Sequence, residues 1–342
     1  MRKSGKTIES PDRDRGPEER DAHVHRLRAN PAAYAARDAA GTLLLLHALL
    51  AILLQILRFV VPDAMADFLS DDITGYVSSA LMMQGLCILL PVVYVMFHFS
   101  VPASVVPGPS SPTGGWIIMS ATVGVPAAIV FTGINNGFVY ALTRNGIILP
   151  SSAMATADIV GEPNYFLVVL LLSVLLPGIV EELMFRGIIQ GSMEAVGGPV
   201  VTILIPAAAF AVFHVNILFI VAPFLAGLLL GYVRHKTGTV YASILTHITM
   251  NLTILLMNPL LPQLTSEYVS TMSSNAVLYA SLISALVASV ALIPMLIAFS
   301  SVRTKRRLRL KVDDAFPVDH KFVIGFLVLI GSMLFYYYTN VR

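Results

Sequence analysis

The sequence predicts an all-α, polytopic membrane bundle of about eight to nine transmembrane helices with its N-terminus in the cytoplasm. Three observations predict it. Of 342 residues, 56% are hydrophobic and only 12% charged, about half the charged share of a soluble protein. Apolar stretches of roughly 18–25 residues, the length that crosses a hydrocarbon core of about 30 Å, recur along the chain. Lys and Arg collect on alternate sides of those stretches, as cytoplasmic loops require.

The chain opens with a polar segment of both signs, through Asp38, that lacks the apolar core and cleavage site of a signal peptide and reads as a cytoplasmic tail. Spans follow near 42–61, 77–97, 116–142, 165–192, 200–217, 218–233, 239–257, 276–300 and 322–339. As one helix, 200–233 would be about 50 Å long, too long for one crossing. It is read as two short spans meeting near Asn216 and Ile217. The charge map agrees, since this division puts Arg186, Arg234, Lys236 and the 303–321 cluster inside. The first outer loop is then purely acidic, with Asp63, Asp67, Asp71 and Asp72. A Pro/Gly/Ser-rich linker from Pro102 to Gly115 separates two leading spans from the rest. The chain therefore divides into a tail (1–39), two leading helices with the linker (40–115), a central core (116–300), and a basic loop with a last helix (301–342).

Net charge is only +2 and basic residues fall in clusters without interleaved aromatics, so no nucleic-acid partner is expected. The single Cys87 excludes an internal disulfide framework and a cysteine-rich metal site. Membrane lipids are the expected surroundings, and the 303–311 cluster suits anionic headgroups.

Ionisable groups inside spans are costly and are functional candidates by default. Here they are His47, Arg58, Glu181, Glu182, Arg186, His214 and His247, with the carboxamide Asn251 beside the last. His47 reads as a helix-to-helix hydrogen bonder, Arg58 as a snorkelling side chain, and Asn135 and Asn136 as packing groups. Glu182 and Arg186 stand four apart, acid first, which stacks them as an ion pair on one helix face. Glu181 lies about 100° around the helix and is left as a carboxylate that must be hydrogen-bonded, wetted or protonated. Pro177 and Gly178, one turn earlier, weaken the helix and suit a water-filled cavity.

Counting inward from cytoplasmic ends at 1.5 Å per residue puts Glu181 about 18 Å deep, His214 about 22 Å, His247 about 14 Å and Asn251 about 20 Å. Three helices thus bring polar residues to one level. A carboxylate, two imidazoles and a carboxamide can activate a water and stabilise a tetrahedral oxyanion. The same groups could also relay protons in a proton-coupled transporter, or form the polar network of a non-catalytic membrane scaffold or immunity factor.

The motifs E-E-x-x-x-R (Glu181, Glu182, Arg186), F-x-x-x-H (Phe210, His214) and H-x-x-x-N (His247, Asn251), in this order and each on its own helix, resemble those of the CPBP family, the Abi or CAAX-protease-like proteins. The resemblance spans about 165–258. It implies a multi-pass intramembrane endopeptidase of the cell membrane, with a cavity open to the cytoplasm and a peptide or membrane-protein substrate. Glu181 would be the general base, His214 would orient the water, and His247 with Asn251 would form the oxyanion hole. Glu182 and Arg186 would hold the helix. No cofactor is required on this reading; in the alternative, Glu181, His214 and His247 would bind zinc as a His/His/carboxylate set. Asn216, two residues beyond His214, would line the cavity mouth.

Overall fold

The computed structural model describes residues 31–68, 72–99, 106–108, 114–148, 163–194, 198–260, 262–264, 269, 274–301 and 318–340. Most of the tail, most of the linker and the basic cluster at 303–311 lie outside these. The chain is a polytopic helical bundle, and no strand occurs among the described residues. Seven helices among them are long and apolar enough to cross a membrane: α1 (Ala35–Val60), α2 (Ile73–His98), α3 (Gly115–Arg144), α4 (Pro163–Glu194), α7 (Val240–Met257), α8 (Asn275–Ser300) and α9 (His320–Thr339). Each overlaps a stretch read as a span from the sequence.

The remaining two stretches form shorter apolar helices, α5 (Pro199–Phe213) and α6 (Val221–Thr237). At 15 and 17 residues they are about 22 and 26 Å long. They meet at an irregular turn where the sequence places the break. His214 ends α5, Val215 takes a left-handed φ of 53°, and Asn216 caps a single 3-10 turn, Ile217–Phe219. Such backbone in a membrane bundle needs polar partners. Asn135 of α3 supplies two, donating to the Leu218 carbonyl at 3.0 Å and accepting from the Ala222 N–H at 3.2 Å. Asn136 beside it donates to Ser281 of α8 at 2.9 Å and accepts from the Leu264 N–H at 2.9 Å. Both asparagines therefore act as packing groups.

Local chemistry sets the helix ends. Asp72 caps α2 through the Gly75 N–H at 2.9 Å, and Asp319 caps α9 through the Phe322 N–H at 2.9 Å. Helix α6 ends at Gly238, whose φ of 71° only glycine adopts freely. Small residues bring α5 and α6 together: a Cβ on Gly227 would sit 2.8 Å from the Ala207 Cα.

One apolar core joins the nine helices named above, including Leu43 and Leu44 of α1, Ile88 of α2, Val123 of α3, Phe185 of α4, Phe210 of α5, Leu230 of α6, Met250 of α7, Phe299 of α8 and Leu329 of α9. The leading helices α1 and α2 are thus part of the same packed body as the motif-bearing ones. The outer surface is apolar as well. Along α8, Leu286, Val290, Ile293 and Ile297 are exposed at helical spacing, a stripe suited to lipid.

Arg234 departs from its sequence reading as a loop charge. It is buried, with Nε donating to the Arg186 carbonyl at 3.2 Å and a terminal nitrogen donating to the Pro107 carbonyl at 3.4 Å. The Val240 N–H also bonds to Pro107, at 2.9 Å. Arg234 therefore ties α6 to α4 and to the described part of the linker, which Val240 holds to the start of α7.

Candidate active site

Helix α4 owes the site to its uneven winding. A segment of ordinary α-helix, Leu176–Glu182, lies between two wider π-helical segments, Leu170–Leu175 and Leu183–Gln190. Pro177 lies inside the continuous helix, just after the first π segment, where it supplies no N–H to the preceding turn. Gly178 lets α4 press against α7, since a Cβ there would sit 2.6 Å from the Ile248 side chain. π segments inside α-helices concentrate at functional sites, and here they flank the two adjacent glutamates.

Those glutamates turn to different partners. Glu182 is fully buried and meets Arg186 at 2.6 Å, with both side chains at 0% exposure. It also accepts from His247 Nδ1 of α7 at 3.0 Å. Arg186 donates to the Gly227 carbonyl of α6 at 3.3 Å and lays its guanidinium 4.5 Å from the centre of the Phe210 ring. Further contacts offset the lost hydration of a buried ion pair, and α6, α7 and Phe210 supply several, while Glu182 Oε2 and Arg186 Nε have no hydrogen-bond partner among the described residues. Glu181, 4% exposed, faces the opposite neighbour: Gln84 of α2 donates Nε2–H to its Oε1 at 2.8 Å.

Phe210 organises the histidines. Its ring stands edge-on to His214 at 5.0 Å and to His247 at 5.8 Å, and it also packs edge-on with Phe185 at 5.1 Å. The His214 Nδ1–H donates to the Phe210 carbonyl at 2.9 Å. A carbonyl can only accept, so this bond sets the tautomer and leaves the neutral ring's Nε2 as an acceptor. His214 is exposed, although Phe213 and Val215 on either side are buried. It lies within electrostatic reach of Glu181 and of His247.

Asn251 lies one turn beyond His247 on α7 and is half-buried. Its side chain has no hydrogen-bond partner among the described residues. Asn216 does not extend the site: it is buried, and its side-chain oxygen accepts from the Leu218 N–H at 3.0 Å. His47 bridges α1 and α2 as expected, donating to the Cys87 carbonyl at 2.8 Å, and its ring lies 4.5 Å from that of Phe213.

The structure thus gathers Glu182, Arg186, His247 and Phe210 into one contact cluster, holds His214 against Phe210, and pairs Glu181 with Gln84. Among the described residues, no three His, Cys, Asp or Glu side chains converge as a metal-binding group. Glu181 is bonded to Gln84 through one oxygen, and His247 to Glu182 through Nδ1. Glu181, His214 and His247 thus do not form such a group here.

Sequence reasoning missed Gln84. The signal was a polar residue in the apolar run L-M-M-Q-G-L-C.

No curated protein and no solved structure matches the chain. Residues 163–253, which carry all three motifs from Glu181 to Asn251, match the family described as type II CAAX prenyl endopeptidase Rce1-like, the family that the motifs resemble.

Proposed function

We propose that this protein is an intramembrane endopeptidase in which Glu181 activates water. The family match supports a membrane protease-like function. The observation that carries the finer reading is the split between the adjacent glutamates. Glu182 is bonded through Oε1 to the charged Arg186 and to His247, whereas the described residues give Glu181 only the neutral Gln84 as a hydrogen-bonded side-chain partner.

In this mechanism Glu181 takes a proton from a water, and the His214 Nε2 acceptor orients that water. The hydroxide oxygen bonds to the scissile carbonyl carbon, whose oxygen becomes an oxyanion. The Asn251 amide donates to that oxygen, and so does His247 Nε2–H when the ring is protonated. Glu182 holds His247 by Nδ1, so Nε2 is the nitrogen available to substrate. Collapse breaks the C–N bond, the proton held by Glu181 passes to the leaving amine, and a new carboxylate remains. No step requires a metal. The substrate class is a membrane-associated peptide or protein segment, and the proposed cavity opens to the cytoplasm.

The test is cleavage by the purified full-length protein of an internally quenched, farnesylated CAAX peptide, together with a comparison of membrane-associated peptides in cells. Glu181→Gln and His214→Ala are expected to lower turnover by at least about 100-fold, the weight of a general base, while the protein still accumulates. Wild-type turnover by Glu181→Gln would overturn the reading.

A further inference from the structure

Helix α2 lies outside residues 163–253, yet among the described residues it contributes the one side chain hydrogen-bonded to Glu181. Gln84 sits in a π-helical segment, Leu81–Leu89, beside Gly85. Its Nε2 donates to Glu181 Oε1 at 2.8 Å, while its own Oε1 is buried with no hydrogen-bond partner among the described residues. Packing alone gives no reason for this arrangement. A methionine or leucine would fill the space without an orphaned acceptor, and buried acceptors are rarely left unpaired.

We infer that Gln84 is a positioning residue that holds Glu181 in both of its protonation states. The inference rests on the reading of Glu181 as the base. An ionised carboxylate only accepts, and Gln84 presents it with a donor. Once Glu181 has taken the proton from water it carries an O–H and needs an acceptor. Half a turn of the carboxamide brings Oε1 into the place of Nε2 and supplies one. The unpaired oxygen is thus the partner for the second state, and the carboxylate keeps one geometry while the proton arrives and leaves. A histidine or lysine at this place would bring a charge of its own; the carboxamide follows Glu181 without one. The site is accordingly completed by α2, from beyond the segment that carries the motifs.

The test uses the full-length protein with Gln84→Met, which keeps length and volume but removes both polar atoms, with Glu181→Gln alongside. Two readouts are taken: steady-state kinetics on the farnesylated reporter peptide, and the infrared carboxylate stretch of Glu181, identified as the band lost in Glu181→Gln. The expected result for Gln84→Met is a kcat lower by about tenfold with KM unchanged, the pattern of an interaction felt in the transition state. The Glu181 band is expected to shift, because its hydrogen bond is gone. Wild-type kcat or an unshifted band overturns the inference. Retained cleavage by Glu181→Gln instead overturns the peptidase reading, and the inference with it. If the wild-type protein leaves the reporter intact, that substrate class is excluded and the infrared band alone decides whether Gln84 holds Glu181.

Discussion

His247 Nδ1 lies 3.0 Å from Glu182 Oε1, so the carboxylate that neutralises Arg186 on its own helix also fixes an imidazole on another. Glu182 is therefore the fastener between α4 and α7. Removing it alone leaves a buried guanidinium without its counter-charge. Glu182→Leu is expected to cost about 3–5 kcal/mol of stability, and Glu182→Leu with Arg186→Met to recover most of that loss. Activity should return in neither, because His247 stays unanchored in both. Thermal unfolding in detergent, read beside reporter cleavage, separates the two effects. Recovery of cleavage in the double variant would show that Glu182 acts only through Arg186.

Asp319 gives a pH dependence at the base of α9. Burial, above all, raises its carboxyl above the ordinary 3.8, with the Asp38 charge adding to the rise and the Phe322 N–H opposing it. A raised acid binds its proton more tightly in the folded state, so its contribution to stability is largest at or below the ordinary value. That contribution is lost as pH climbs through the raised one. Asp319→Asn keeps an oxygen for the Phe322 N–H and removes the charge. It is expected to melt higher than wild type at pH 7 and to lose that advantage near pH 4, as checked by unfolding midpoints across this range.

Val215 holds a β-branched side chain at a φ of 53° directly after His214. That conformation costs a non-glycine residue about 1–2 kcal/mol. Val215→Gly should therefore destabilise by less than about 1 kcal/mol although the deleted side chain is buried, because relief of strain offsets lost burial. Val212→Gly makes the same deletion from helical backbone, where no strain is released, and should cost about 3 kcal/mol. Equal losses in the two variants would refute the strain argument.

Cleavage should withstand metal chelators. On the proposed metal-free mechanism, a phenanthroline or EDTA wash is expected to leave kcat and KM unchanged. A loss of activity restored by added zinc would return the His/His/carboxylate alternative.

The bundle was legible because lipid and water demand different residues over distances that sequence records directly. The break between α5 and α6 followed from length alone, and the Glu182–Arg186 pair from a spacing of four. Partners on other helices were not legible in this way. Nothing in L-M-M-Q-G-L-C says that Gln84 meets Glu181 and not lipid, because that depends on how α2 is rotated against α4, and both helices contain π segments that shift the register. For the same reason, the bond from His247 Nδ1 to Glu182 could not be read from the spacing. Arg234 read as a loop charge because its distance from a helix end says nothing of the carbonyls around it.

Phe210 touches both histidines and the Arg186 guanidinium with a single ring. A flat, stiff side chain in that place works as a common axle. It cannot swing away from one imidazole without disturbing its contact with the other, so His214 and His247 cannot be repositioned independently. On the peptidase reading proposed above, a peptide that reaches His214 and displaces the ring would thereby also move His247.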